Sequence, residues 1–167
     1  KTSFHALKQG VNLKNSLSTI NALRIEDTET PIVLLGYFNP FLQYGLSRFV
    51  KDASNAGVDG LIVPDLPIEE SASLRRLCMK NNLHLIPLLA PTSTEERISQ
   101  ACKHANGFIY CVQVAGVTGA RDNLHPGIRD LVEKIRRHTE LPVLVGFGIS
   151  TREHVNEISE FADGSIV

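Results

Sequence analysis

The stretch LPVLVGFGISTREHVNEISEFADGSIV (141–167) holds a strand, a glycine turn, a helix and a second strand in succession. Its opening run is apolar without polar alternation, as expected of a parallel strand covered on both faces. GFGIS (146–150) breaks the run. Ser150 with Glu153 three residues on has the spacing of a capping box, which predicts a helix opening at Ser150. GSIV (164–167) then reads as the next strand.

The same alternation extends toward the amino terminus. PIVLLGY (31–37), GLIVPD (60–65), HLIPLLA (84–90) and GFIYCVQ (107–113) read as buried strands, with amphipathic stretches between them. LSRFVKDASNAG closes on Gly57 as a helix C-terminal cap, and SASLRRLCMKNN places Leu74, Leu77 and Cys78 on one helical face. STEERISQACKHANG opens with a second capping box, Ser93 with Glu96. Strand starts recur at the interval of one βα unit, which predicts an α/β chain with a parallel sheet. That interval fits an open doubly wound sheet and a closed barrel equally.

Bulk composition narrows the function classes. With 167 residues, 43% hydrophobic and 21% charged content and a net charge of -1, the chain reads as one globular domain that recruits neither nucleic acid nor an anionic membrane. Cys78, Cys102 and Cys111 are odd in number and lack C-x-x-C spacing, so a reducing compartment fits, with no disulfide framework or metal site. No apolar run approaches a membrane span. KTSFHALKQG reads as a helix with Phe4 and Leu7 on one face and no strand before it, and the closing ADGSIV strand has nothing to cover it. Residues 1–167 are therefore expected to be a single domain truncated at both ends.

Ligands of parallel α/β sheets bind beyond the carboxyl ends of the strands. The residues there are Tyr37 with Asn39, Asp65, Ala90 with Thr92, Tyr110 with Gln113, and Gly146-Phe147-Gly148. GFGIS joins glycine freedom to a positive helix end, which suits a phosphate, and its position at a strand end favours that over a turn kept small for packing. AGVTGARDNLHPG (115–127) has the length of a lid and also suits a variable surface loop. Asp65, between Pro64 and Pro67, is a candidate base or a cap for the helix it precedes; with no second acid or histidine at an adjacent strand end, the cap is favoured. The six histidines lack ligand spacing. KIRRH (134–138) reads as a solvated face that suits a helix C-terminus, and Tyr44, Phe49 and Phe161 read as core.

PIVLLGYFNPFLQYG, AGVDGLIVPDLPIEE, LLAPTSTEERI, GFIYCVQVAGVTGAR and PVLVGFGIS, in this order and spacing, resemble the α subunits of tryptophan synthase over essentially the whole chain. The resemblance implies a (β/α)8 TIM barrel of which strands 3 to 8 are present, without the first two strands and the C-terminal helix. It implies a carbon–carbon lyase of tryptophan biosynthesis that cleaves indole-3-glycerol phosphate to indole and glyceraldehyde 3-phosphate without a cofactor. The implied partner is a PLP-dependent β subunit in a heterotetramer, and the implied place is the cytoplasm, or the plastid stroma in a plant. Gly119, Phe147, Gly148 and Ile149 resemble the phosphate-binding residues, and Leu35, Tyr37, Ile62 and Tyr110 the indole pocket. Tyr110 resembles the tyrosine beside the catalytic carboxylate, Thr118 the lid threonine that bonds the catalytic aspartate, and Asp65 a family aspartate near the subunit interface and pocket base. The catalytic Glu and Asp are implied upstream of Lys1, so no catalytic residue is expected in these 167 residues and the chain alone is expected to be inactive. A stand-alone indole-releasing lyase, another phosphate-binding barrel enzyme and a non-catalytic regulatory subunit are the alternatives.

Overall fold

The computed structural model describes residues 12–112, 124 and 126–167. The helix expected over KTSFHALKQG lies outside them. The chain forms two compact units, Lys1–His84 and Leu85–Val167.

Among the described residues the first unit begins with a helix that the strand and helix patterns above did not include, α1 (Leu13–Glu26). Asn12 caps it, its Oδ1 accepting the Asn15 N–H at 3.0 Å, and Leu17 and Ile20 are its buried residues. There follow β1 (Val33–Leu35), α2 (Phe38–Tyr44), α3 (Leu46–Ala56), β2 (Gly60–Ile62), a 3-10 turn (Ile68–Glu70) and α4 (Ala72–Lys80). β3 (His84–Ile86) starts at the unit's last residue, and the sheet order is β1-β2-β3. Gly57 ends α3 as expected, at φ 93, its N–H donating to Ala53 and Ser54 carbonyls. The core here centres on Phe41 and Phe49, both fully buried and stacked with centroids 4.1 Å apart.

The second unit contains β4 (Leu88–Leu89), α5 (Glu95–His104), β5 (Ile109–Val112), α6 (Ile128–Arg136), β6 (Val143–Gly146), α7 (Arg152–Ser159) and β7 (Gly164–Ile166). Its sheet runs β4-β5-β6-β7, every pairing parallel. Ile109, Cys111, Val143 and Val145 of the strands and Ile98, Ile135 and Ile158 of the helices are among its buried residues. The alternation of strand and helix is thus as the sequence predicts.

Two local expectations are corrected. HLIPLLA is two strands, β3 and β4, belonging to different sheets. Pro87 stands between them, with no N–H to continue a ladder, and its carbonyl accepts the Tyr110 N–H at 3.1 Å. Both helix caps fall one residue later than the predicted capping boxes, and with Arg97 and His154 three residues on neither is a box. Thr94 caps α5 through the Arg97 N–H and Thr151 caps α7 through the His154 N–H, each at 3.3 Å. Ser93 is engaged elsewhere: its Oγ accepts the Ala90 N–H at 3.0 Å, closing the β4–α5 loop. KIRRH is the solvated face expected, exposed except for Ile135, and it carries two surface pairs: Arg136 donates to Asp163 Oδ2 at 3.1 Å and His138 bonds Glu95 at 2.7 Å.

The Arg136 contact is one of a pair. Asp163, just before β7, accepts the Val143 N–H at 2.8 Å at the start of β6, and Arg136 of the preceding helix also reaches the Phe161 carbonyl at 3.4 Å. In the first unit Asp59, just before β2, accepts the Ile32 N–H at 2.7 Å, and Arg24 of the preceding helix bonds both Asp59 and the Gly57 carbonyl, the latter at 2.8 Å. Both clasps hold a helix and two strand starts together.

Candidate functional site

At the carboxyl end of β1, Leu35 pairs in register with Ile62 of β2. Ile62 is nearly fully buried, whereas Leu35 is 57% and Tyr37 65% exposed, so two large apolar side chains stand in the open just where a ligand of a parallel sheet binds. Gly36 between them donates its N–H to the Ile62 carbonyl at 3.0 Å. A Cβ on Gly36 would lie 2.6 Å from Phe41 Cζ, so the strand end sits directly on the aromatic core.

Asp65 occupies the loop after β2. Val63 accepts the Leu66 N–H at 3.2 Å, which makes Val63–Leu66 a turn with Pro64 in its second position. The Asp65 carboxylate caps a helix, as favoured from sequence, but not the one it precedes. Its Oδ1 accepts the Phe38 N–H at 2.8 Å, the first helical amide of α2, for which Tyr37 supplies no side-chain cap.

In the second unit, Tyr110 lies on β5 beside β6. It is buried, and burial raises its phenol above the ordinary value, so the hydroxyl stays protonated. A Cβ at Gly146 would meet Tyr110 Cε2 and its hydroxyl at 2.6 Å and Ile166 Cβ at 2.9 Å. Glycine is required there by the tyrosine, not by backbone conformation.

Beyond Gly146 the backbone takes positive φ at two consecutive residues, Phe147 at 74° and Gly148 at 80°. That is ordinary for glycine and costly for a bulky aromatic side chain. Phe147 is 58% exposed, while Ile149 folds back into the core at 6% exposure. Neither the Gly148 nor the Ile149 N–H donates to a backbone carbonyl among the described residues. The segment leads directly into α7, so the Gly148 and Ile149 amides and the positive end of a helix meet at one turn, a geometry suited to an anion.

Thr118, Gly119 and Gln113 lie outside the described residues, as does most of the expected lid. The three cysteines are buried free thiols, and burial pushes Cys78 and Cys111 up to about 12, which keeps them unreactive. No helix among the described residues is long and apolar enough to cross a membrane. Among the same residues no group of three or more His, Cys, Asp or Glu is placed to hold a metal ion.

A family model for the tryptophan synthase alpha chain matches residues 1–167. The tryptophan synthase alpha chain of Roseiflexus castenholzii is 49% identical over 167 residues, covering 100% of this chain and 64% of that protein. A chain of the tryptophan synthase a2b2 complex from the hyperthermophile Pyrococcus furiosus superposes with a TM-score of 0.90 at 34% identity, over 98% of this chain and 66% of that one. The tryptophan synthase alpha chain of Legionella pneumophila gives 0.84 at 38% identity, over 97% and 59%. The chain therefore spans less than two thirds of the length of the Roseiflexus relative. With an end-to-end family match and parallel βα units that superpose on solved members, the chain belongs to the tryptophan synthase alpha chain family, and its fold class is that family's (β/α)8 barrel.

Proposed function

We propose that the protein containing this chain is a tryptophan synthase α subunit, a lyase that cleaves indole-3-glycerol phosphate to indole and glyceraldehyde 3-phosphate in a reducing compartment, the cytoplasm. Residues 1–167 are one stretch of a single barrel domain. The observation that carries the proposal is the Phe147-Gly148 turn, whose positive φ at two consecutive residues and amides without a backbone acceptor among the described residues stand at the end of β6 and the start of α7. The substrate phosphate binds at that turn, and the resemblance assigns Gly119, Phe147, Gly148 and Ile149 to it. The resemblance assigns Leu35, Tyr37, Ile62 and Tyr110 to the indole pocket.

Retro-aldol cleavage needs an acid for indole C3, a base for the glycerol hydroxyl and an anion near the indole N–H as positive charge develops. The resemblance assigns these tasks to a glutamate and an aspartate that precede Lys1, and the hydroxyl of Thr118 orients the aspartate. The protein needs no cofactor or metal of its own, and its partner is the PLP-dependent β subunit. The test is indole release from indole-3-glycerol phosphate by the full-length protein with its β subunit. Indole is expected, and a Gly148→Val variant is expected to raise KM more than it lowers kcat. Absence of indole from the complete, folded pair refutes the proposal.

A further inference from the structure

Tyr37 reaches the site on a short span of backbone that is held on both sides by the same neighbour. Before it, the Gly36 N–H is bound by the Ile62 carbonyl at 3.0 Å; after it, the Phe38 N–H is bound by Asp65 Oδ1 at 2.8 Å. Tyr37 itself is extended, at φ -76 and ψ 152, and makes no side-chain cap to α2. The Gly36 side cannot shift toward the core, because Phe41 already fills that space. The Asp65 side is anchored by a turn that Pro64 stiffens. The remaining freedom of the span is governed by one hydrogen bond, from Phe38 to Asp65.

We infer that Asp65 is a positioning residue: by accepting the Phe38 N–H it fixes the span that carries Tyr37, and so sets the wall of the aromatic pocket without touching substrate. The inference rests on the proposed role of Tyr37 in binding indole. An apolar wall meets substrate and transition state alike, so loosening it weakens binding and leaves the chemical step nearly unchanged. The chemistry required of residue 65 is an acceptor oxygen, not a charge.

The experiment uses the full-length protein with its β subunit and reads KM and kcat for indole-3-glycerol phosphate cleavage, together with exchange of the Phe38 amide proton. Asp65→Ala is expected to raise KM by roughly three- to tenfold, the range for loss of one modest hydrogen bond, with kcat little changed. Asp65→Asn keeps an oxygen at the same place, so KM within about twofold of wild type is expected. On a Tyr37→Ala background, Asp65→Ala is expected to add little, since the two act on one wall. Phe38 exchange should speed up in Asp65→Ala and not in Asp65→Asn. Asp65→Asn as impaired as Asp65→Ala, or multiplicative losses in the double variant, overturns the inference. Should Asp65→Ala fail to fold, the Asn variant decides alone: a large KM rise with the Phe38 amide still protected overturns it. If the wild-type protein does not cleave the substrate, the proposed function fails, while the exchange measurement still tests the Phe38–Asp65 restraint.

Discussion

Gly146→Ala tests how closely β5 and β6 pack at the site. The change adds one methyl group, placed 2.6 Å from both Tyr110 Cε2 and the Tyr110 hydroxyl and 2.9 Å from Ile166 Cβ. Carbon atoms rest at about 3.5–4.0 Å, so the ring must retreat by roughly 1 Å. It has little room to do so, since Tyr110 is buried and flanked by paired strands on both sides. Overpacking of this kind costs about 1–3 kcal/mol, which for a domain of this family's size lowers the melting temperature by roughly 3–10 °C. The assay is urea and thermal unfolding of the full-length protein. Gly164→Ala on β7 serves as the control, because its Cβ meets only the flexible tip of Leu144 at 3.0 Å, and a smaller loss is expected. Tyr110→Phe removes one of the two closest contacts and should recover part of the Gly146→Ala loss, a coupling that a double-mutant cycle detects. Equal effects at Gly146 and Gly164, or strict additivity with Tyr110→Phe, would refute the steric account.

Phe147→Gly relieves a positive φ that costs about 1–3 kcal/mol in a bulky residue, and the side chain it removes is more than half exposed. Stability equal to or above wild type is expected in urea unfolding, with KM for the phosphate substrate increased. Asp163→Ala leaves the Val143 N–H without its acceptor and the Arg136 guanidinium with only the Phe161 carbonyl, and should cost about 1–3 kcal/mol, with Asp163→Asn losing less. The Val143 amide and the Arg136 guanidinium hold the Asp163 carboxyl below its ordinary value of 3.8. Because the folded pKa is the lower one, its contribution is fully present above pH 3.8 and fades as pH falls through the folded value, so Asp163→Asn should flatten the stability profile only at that acid end. Residues 1–167 alone are expected to release no indole, and indole above a blank from this polypeptide would show that the proton-transfer groups are not the ones assigned upstream.

Much of the architecture was legible because it rests on short-range signals. Apolar runs gave the strands, and Gly57 gave a helix end whose φ only glycine adopts cheaply. Placement at a strand end singled out GFGIS; the positive φ of Phe147 in that turn was not foreseen, because the pattern suggests glycine alone for such a conformation. The errors came where two residues competed for one task or where the partner was distant. Ser93 and Thr94 are both good caps, and the choice fell to Thr94 because Ser93 Oγ closes a loop on Ala90. Helix α1 was within reach, since Asn12 followed by Leu13, Leu17 and Ile20 is a cap and an apolar stripe. The target of Asp65 was not, because Phe38 is far away in sequence and only the pairing of β1 with β2 brings them together.

The same contrast explains the two arginine clasps. AGVDGLIV and FADGSIV share an aspartate just before a glycine that begins a strand, and each aspartate holds the first amide region of the preceding strand and an arginine of the helix before it. Both clasps act at strand starts, whereas Leu35, Tyr37, Gly146 and Phe147 stand at strand ends. Charge-assisted bonds at the starts fix the register of β1 with β2 and of β6 with β7. With register fixed there, the opposite ends can carry what a stable sheet edge would not select: exposed apolar side chains at Leu35 and Tyr37 and a strained aromatic at Phe147. Weakening a clasp should therefore lower stability first and disturb the site only through a shift in register, while changes at Phe147 or Asp65 should disturb the site with stability largely kept.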